Sequence, residues 1–298
     1  MPFEPARGFL GLPAELQEPS RARVVVLPIP YEATVSWKSG TRDGPDAIIG
    51  ASQQVELYHE GTGGEPALRW GVRTLPALPC DFPSGDAMME GIARVVEPLA
   101  ASGKLVLGLG GEHSITPAIV RGVRRAHPAA LTVVQIDAHA DLRDSYEGER
   151  CSHACAMRRI LEENPGPTVQ IGIRSFSREE AEFMRVAQGR VNVFTMKRIG
   201  ETGHTDLLRQ IRGLVKGRDV YLSIDVDGLD PSVVPATGTP EPGGLSWGQA
   251  LDIVVTVAGA SRLVAMDCVE LAPRPGLHMA EFAVAKLLYA ALASALRD

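Results

Sequence analysis

Short apolar runs rich in β-branched residues recur along the chain and alternate with segments of helical periodicity. Because buried parallel strands are almost continuously apolar and are joined by helical crossovers, this alternation predicts a parallel sheet covered by helices on both faces. The length allows one or two domains, and we expect one α/β domain over residues 1–298, with residues 1–20 as a proline-rich N-terminal arm. The seven predicted strands are RVVVLPI, KLVLGL, LTVVQID, TVQIGI, VNVF, DVYLSID and RLVAMDCV.

Several predicted helices carry recognisable N-terminal signals. Ser177 with Glu180, and Ser246 with Gln249, match the pattern of a capping box. Ser84 is suited to cap a further helix. Each signal follows a predicted strand or a turn, which strengthens the prediction of alternating strands and helices.

Two long loops, Leu142 to Ser152 and Leu229 to Gly244, each follow a predicted strand that ends in acidic residues. In open parallel sheets the ligand crevice lies beyond the carboxyl ends of the strands. We therefore expect these loops to form the rim of the active site. Asp230 precedes a proline in the second loop and is expected to shape the turn.

Carboxylates and imidazoles gather at the ends of three predicted strands. KLVLGL leads into GGEHS, LTVVQI leads into DAHAD, and DVYLSI leads into DVD. Alternate side chains of an extended strand point the same way, so the polar residues of each of the last two segments are expected on one side. Four carboxylates gathered there would repel one another unless cations neutralised them. The candidate ligands are His113, Asp137, His139, Asp141, Asp225 and Asp227.

This ligand set favours a particular metal. Hard oxygen donors with two imidazoles suit manganese better than zinc, which favours thiolate and imidazole in sites of lower coordination number. Bridging carboxylates would hold two ions about 3.5 Å apart, as in two-metal hydrolases. Each motif alone could be ordinary solvated loop polarity, but their joint occurrence at three strand ends favours a metalloenzyme.

The remaining cysteines and histidines offer no second metal site. Cys151, His153 and Cys155 lack a second ligand pair, so the two cysteines are interpreted as packing residues at the start of a helix. The histidines outside any ligand pattern are interpreted as surface or structural residues; they are His59, His127, His204 and His278.

Composition narrows the class of protein further. A net charge of -6 argues against a nucleic-acid partner and fits a cationic substrate. Four cysteines without disulfide-framework spacing indicate reduced thiols. The N-terminus lacks the pattern of a secretory signal, and no apolar run is long enough to span a membrane. We expect a soluble cytoplasmic protein without a membrane partner.

The segments GGEHS, DAHAD and SIDVDGLDP resemble, in order and spacing, the three metal segments of the ureohydrolase family, which includes arginase and agmatinase. The resemblance extends from about Val24 to Leu288. It implies a three-layer α/β/α arginase-like fold with a central parallel sheet of about eight strands. It also implies two Mn(II) ions per chain and hydrolysis of a guanidinium group to urea and an amine, by attack of a hydroxide that bridges the ions.

The same resemblance implies roles for individual residues. Asp137 and Asp225 would bridge the ions, which makes Asp137 part of the catalytic machinery. His153 would carry a proton to the leaving amine, and Glu270 would hold the substrate guanidinium. The alternatives are a helix-start histidine and a strand-end glutamate without a role. One ion would be bound by His113, Asp137, Asp141 and Asp225, and the other by Asp137, His139, Asp225 and Asp227.

The substrate is suggested by departures from arginase. Arg143 stands where arginases carry an asparagine, and Ser177 stands where they carry an aspartate that holds the α-amino group. The segments RDSYEG, SHACAMRR and TPEPGGLSW look like agmatinase sequences instead. The resemblance therefore implies hydrolysis of agmatine to putrescine and urea, with Asp144, Glu147 or Glu149 as candidates to meet the distal amine. N1-aminopropylagmatine, arginine or another guanidino compound is the alternative substrate.

Two other classes of protein compete with this interpretation. A mononuclear zinc deacetylase would show one metal site and a paired-histidine segment, whereas a non-catalytic descendant would have lost a bridging aspartate, His153 or Glu270. The sequence shows neither departure. The resemblance also suggests a homo-oligomer, a trimer or hexamer, with the proline-rich arm as a candidate contact.

Overall fold

An eight-stranded, all-parallel sheet forms the centre of the protein in the computed structural model, which describes residues 8–296. The first seven residues of the predicted arm lie outside the described residues. All seven predicted strands are confirmed. The strands are β1 Val24–Ile29, β2 Val72–Thr74, β3 Leu105–Gly110, β4 Thr132–Ile136, β5 Thr168–Ile173, β6 Val191–Thr195, β7 Asp219–Asp225 and β8 Arg262–Val269.

The strand that the pattern missed is β2, which pairs with β1 at one edge of the sheet. It has only three residues, and Arg73 and Thr74 are half-buried, so it carries no apolar run to detect. The strand order is β2-β1-β3-β8-β7-β4-β5-β6. The last strand of the chain is thus inserted between β3 and β7, at the middle of the sheet.

Helices cover both faces of the sheet, which confirms the three-layer α/β/α fold. Strand residues alternate between the two cores: Leu107, for example, belongs to one hydrophobic cluster, whereas its neighbour Val106 belongs to the other. The helices are α1 Gly44–Ser52, α2 Pro66–Trp70, α3 Gly85–Ala101, α4 Thr116–Ala126, α5 Ala156–Glu163, α6 Arg178–Val186, α7 Met196–Thr202, α8 His204–Val215, α9 Trp247–Ala260 and α10 Met279–Ala295. None of these described helices is long and apolar enough to cross a bilayer.

The predicted helix starts are confirmed. Ser177 and Glu180 form a capping box at α6, and Ser246 and Gln249 form one at α9. The Ser84 side chain accepts a hydrogen bond from a backbone N–H in the first turn of α3. Each cap satisfies amides that would otherwise lack a partner at the start of a helix.

The described part of the N-terminal arm packs against the chain's own core. Phe9, Leu10 and Leu12 are buried in the cluster that includes Trp70. The backbone N–H groups of Phe9 and Leu10 donate to the side chains of Thr74 and Ser52. Residues 9–12 are therefore bound to α1 and to the edge of the sheet.

Both predicted loops are confirmed as loops without regular strands, beyond the carboxyl ends of β4 and β7. Asp230 shapes the second loop as predicted: its carboxylate accepts from Ser232 at one end and from Gly243 and Gly244 at the other. These bonds fold the loop back onto itself.

Candidate active site

Four neighbouring strands at the centre of the sheet, β3, β8, β7 and β4, end at one edge and lead into the six candidate ligands and Glu270. His113 follows β3, Glu270 follows β8, and the DVD segment closes β7. The DAHAD segment follows β4. Because the carboxyl ends of parallel strands meet at one edge, four segments distant in sequence converge there.

Of the four carboxylates only that of Asp225 belongs to an extended strand, as the last residue of β7. β4 ends at Ile136, before Asp137, and Asp141 has a φ of 54°. Asp227 lies in a 3-10 turn capped by the Asp225 carboxylate, which accepts from the Asp227 N–H at 2.9 Å. The expectation that strand alternation places these side chains on one side is therefore wrong in its mechanism. The side chains nevertheless converge, because the carboxylates themselves fold the turns.

The structure brings all six candidate ligands together. His113 Nδ1 lies 3.1 Å from Asp137, 2.9 Å from Asp141 and 3.3 Å from Asp225. Ligand atoms of His113, Asp137 and Asp141 lie within 4.8 Å of one another and form one group that could hold an ion.

A second such group shares one aspartate with the first. It consists of Asp137, His139 and Asp227, and His139 Nδ1 lies 3.0 Å from the Asp227 carboxylate. The shared Asp137 is fully buried, and its Oδ2 lies 3.1 Å from His113 Nδ1 while its Oδ1 lies 3.6 Å from His139 Nδ1. The geometry therefore suits two neighbouring cations with a bridging carboxylate.

The arrangement of His113 and the carboxylates around it is suited to a divalent cation. His113 Nδ1 is buried and has no hydrogen-bond partner, although three carboxylates lie within 3.3 Å of it. A buried imidazole nitrogen without a partner needs an explanation, and a metal ion between it and the carboxylates supplies one.

The contacts behind His113 support this interpretation. Ser223 Oγ donates to Asp267 at 2.7 Å, so its oxygen accepts from His113 Nε2 at 3.0 Å. With the proton on Nε2, the Nδ1 lone pair faces the carboxylates, as metal ligation requires. Tyr221 also donates to Asp267, and burial raises the pKa of that carboxyl. Sequence reasoning missed Asp267, although an aspartate inside an apolar strand was an available signal.

The pKa shifts of the clustered side chains also indicate that the site is stabilised by added positive charge. Burial, with Asp227 and Asp137 close by, raises the pKa of Asp225 well above its usual range. Burial and the charge of Asp137 raise the pKa of Asp141 to about 7. Although burial opposes it, the carboxylates of Asp227 and Asp137 raise the pKa of His139. Without metal ions the site therefore retains protons near neutral pH.

Metal binding should release those protons. Cations would replace them as counter-charges, so Mn²⁺ uptake near pH 7 should be accompanied by proton release, and apparent affinity should rise from about pH 6 to pH 8. Calorimetric titration in buffers of different ionisation enthalpy measures the released protons, and metal analysis should give two ions per chain. Uptake of a single ion, or uptake without proton release, would contradict the binuclear site.

Glu270 and His153 line the same cleft as five of the six candidate ligands, and the sixth, Asp137, is fully buried beside it. Glu270 has a φ of 65°, a backbone conformation that costs a non-glycine residue about 1–3 kcal/mol and occurs preferentially at functional sites. Its Oε1 accepts from the His113 N–H at 2.7 Å. Burial, with Glu112 nearby, raises the pKa of Glu270 well above its usual range, whereas burial lowers the pKa of His153.

A wider cavity of about 250 Å³ opens beside this cleft. Arg143 lines it and stacks over the Tyr146 ring, with 5.1 Å from Cζ to the ring centroid. Phe176 also lines it and is 45% exposed, which leaves an apolar face available to a ligand. The two loops predicted to form the rim do so, through residues such as Tyr146 and Thr239.

The acidic residues proposed for a distal amine do not line either space. The described lining of the cleft and of the wider cavity excludes Asp144, Glu147 and Glu149. Asp144 accepts hydrogen bonds from Arg150 and Arg159, which neutralise it at the surface. Besides the metal-ligand candidate Asp141, the acidic residue that lines the wider cavity is Glu180, and sequence reasoning had assigned it only to a helix cap.

Comparison with known proteins accounts for this arrangement. A sequence model of the arginase family matches residues 22–293. N(1)-aminopropylagmatine ureohydrolase from Synechocystis sp. is 39% identical over 277 residues, which cover 90% of this chain and 87% of that protein. Agmatinase from Bacillus anthracis is 33% identical over 256 residues, covering 85% and 84% of the two chains.

A solved structure agrees with the sequence relatives. Agmatine ureohydrolase of Thermoplasma volcanium matches with a TM-score of 0.85 and 31% identity, over 97% of this chain and 94% of that one. The family model covers nearly the whole domain, from before β1 into α10. The chain therefore belongs to the arginase family of ureohydrolases.

Proposed function

We propose that the protein is a manganese-dependent hydrolase that converts agmatine to putrescine and urea. The observation that carries the proposal is the convergence of six metal-ligand candidates beside a cleft that Glu270 and His153 line. Four hard carboxylates and two imidazoles suit Mn(II). Two such ions would supply a nucleophile by lowering the pKa of water.

Glu270 is proposed to bind the substrate guanidinium. A carboxylate accepts paired charge-assisted hydrogen bonds from that planar group. The bond from the His113 N–H fixes one oxygen of Glu270, so the carboxylate is held in place before substrate arrives. Because Glu270 is 9% exposed, the paired charges would meet in a largely water-free site, where their attraction is strongest.

His153 is proposed to donate a proton to the leaving amine. An alkylamine is a poor leaving group unless it is protonated, so a positioned acid lowers the barrier. The His153 ring lines both the cleft and the wider cavity, so it would lie between the bound guanidinium and the alkyl chain if the substrate occupied both spaces. Tyr146 packs edge-on against this ring at 5.8 Å and restricts its rotation.

Agmatine is favoured over arginine by the rim. Ser177, at the position where the resemblance places an amino-group ligand of arginases, has its hydroxyl committed to the cap of α6. Phe176 and Tyr146 line the wider cavity and suit an alkyl chain with an ammonium end, through apolar and cation–π contacts. The second candidate substrate is N1-aminopropylagmatine, which is favoured by the 39% identical relative that acts on it.

The experiment is a urea-release assay with Mn²⁺ on agmatine, N1-aminopropylagmatine and arginine. Agmatine should be hydrolysed with kcat/KM about 10–100-fold above that of arginine, because the Ser177 hydroxyl is committed to the cap of α6 and an α-amino group without a partner costs about 1–3 kcal/mol. A higher kcat/KM for N1-aminopropylagmatine than for agmatine would make it the assigned substrate. The proposed hydrolysis of a guanidinium group would be unchanged. Equal or better hydrolysis of arginine would overturn the choice of substrate, and metal-stripped enzyme is the control.

The trimer or hexamer and the cytoplasmic location stay predictions. Light scattering coupled to size exclusion measures the assembly directly. It requires no substrate.

A further inference from the structure

Thr34 lies between a buried carboxylate and the ring of His153. It belongs to the loop that follows β1, and its backbone N–H donates to Glu112 Oε2 at 2.6 Å. Ala33 N–H donates to the same oxygen, and the Ser114 hydroxyl donates to Oε1. Glu112 is fully buried, so these bonds fix the position of Thr34 against the protein interior.

The Thr34 hydroxyl has one proton and two lone pairs, and the structure accounts for all three. The proton is donated to Glu112 Oε1 at 2.8 Å, because that oxygen is an acceptor. The His153 backbone N–H donates to Thr34 Oγ1 at 3.1 Å and occupies one lone pair. His153 Nδ1 lies at 3.1 Å from the same oxygen, where the second lone pair remains.

Only a proton on Nδ1 completes this arrangement. If Nδ1 carried none, two lone pairs would face each other at 3.1 Å, since the Thr34 proton is already bound to Glu112. Ser152 Oγ is the competing partner of Nδ1, but it lies farther away, at 3.4 Å. Within residues 8–296, Nε2 of His153 has no hydrogen-bond partner, and the ring lines the cleft.

We propose that Thr34, anchored by Glu112, is a positioning residue that holds neutral His153 as its Nδ1–H tautomer and leaves Nε2 to exchange a proton in the cleft. The tautomer follows from the contacts alone, and its catalytic consequence rests on the proposed function. Proton exchange through the other nitrogen would require the ring to leave Thr34. The proposal therefore adds two residues to the site, neither of which meets substrate.

The test uses full-length protein with ¹⁵N-labelled histidine, loaded with Mg²⁺ so that a paramagnetic ion does not broaden the signals. The His153→Asn variant identifies the His153 resonances among those of the seven histidines. At a pH where the ring is neutral, wild-type protein should show a protonated Nδ1 and an unprotonated Nε2. A wild-type Nε2–H tautomer would overturn the proposal, whatever the variants do.

Two matched variants separate the hydroxyl from the volume of the side chain. Thr34→Val keeps the shape and removes the acceptor, so the Nδ1–H signal should be lost or mixed with the Nε2–H form. Thr34→Ser keeps the hydroxyl and should retain the wild-type tautomer. An unchanged tautomer in Thr34→Val would overturn the proposal.

Steady-state kinetics test the consequence for catalysis. Thr34→Val should lower kcat about 10–100-fold, the range seen when a partner that orients a functional histidine is removed. KM should change little, because Thr34 orients the acid and does not bind substrate, and Thr34→Ser should restore kcat. A rise in KM without a change in kcat would assign Thr34 to substrate binding instead. If the wild-type protein releases urea from no guanidine, the proposed function fails, and the NMR result still decides the tautomer.

Discussion

The Asp137→Asn variant should lose more than about 100-fold in kcat, beyond the loss typical of removing a residue that only supports a metal ligand. Asp137 is the aspartate shared by both ligand groups, so its replacement weakens two ion sites at once. An amide also removes one negative charge from a buried site designed around cations.

The surrounding hydrogen bonds make this substitution more disruptive than its size suggests. Oδ1 of Asp137 accepts from the His139 N–H at 2.6 Å, and Oδ2 accepts from Gln135 Nε2 at 2.6 Å. Whichever way an asparagine turned, its NH₂ group would face one of these donors. The variant would thus lose an acceptor that orients His139 as well as a bridge.

The measurement is urea release with agmatine, accompanied by metal analysis and circular dichroism. Asp252→Asn is the matched control, because it makes the same chemical change in an exposed ion pair with His204. The control should keep wild-type activity. Near-wild-type turnover of Asp137→Asn with two bound ions would refute the assignment of Asp137 as a bridge.

The strands could be predicted from the sequence because burial on both faces leaves an apolar run. That signal is local, so it found seven strands and missed β2, which has three residues at an edge. The strand order is not local. The insertion of β8 between β3 and β7 places Glu270 beside the metal ligands, and it depends on how helices pack across the sheet.

The cluster of candidate ligands could be predicted for a different reason. Carboxylates and imidazoles that follow three separate apolar strands are seldom coincidental together, so this joint occurrence singled out all six residues. Strand alternation did not explain their convergence, since Asp141 has a positive φ and Asp227 lies in a 3-10 turn. The turn conformations depend on hydrogen bonds within the candidate-ligand segments. The two-residue periodicity of a strand does not describe such bonds.

Residues that support the site escaped prediction because their partners are far away in sequence. Thr34 meets His153 across 119 positions. Arg174 donates to the backbone carbonyls of Asp227 and Glu241, and so binds the second rim loop to a metal-ligand turn. The sequence shows an arginine after β5 but not the carbonyls that it meets. Asp144 looked like a substrate contact for a different reason: the sequence does not show that the exposed Arg150 and the buried Arg159 bind its carboxylate.

Glu270→Gln should lower kcat/KM for agmatine by about 10²–10⁴-fold. Each charge-assisted hydrogen bond contributes about 1.5–3 kcal/mol, and two are proposed between the carboxylate and the guanidinium. A factor of ten in rate corresponds to about 1.4 kcal/mol. The exposed Glu182→Gln variant on α6 makes the same chemical change away from the site and should keep wild-type activity.

The position of Glu270 makes the glutamine variant a sharp test of charge. Glutamine can keep Oε1 as the acceptor of the His113 N–H, so the neighbouring metal ligand stays in place. Its amide group would then present N–H donors to a guanidinium that has only donors of its own, and attraction would become repulsion. Metal content should therefore stay at the wild-type value while kcat/KM falls. The substitution removes the charge of Glu270 and leaves the size of the side chain nearly unchanged. A variant that keeps both its ions and its rate would therefore show that the guanidinium is bound elsewhere.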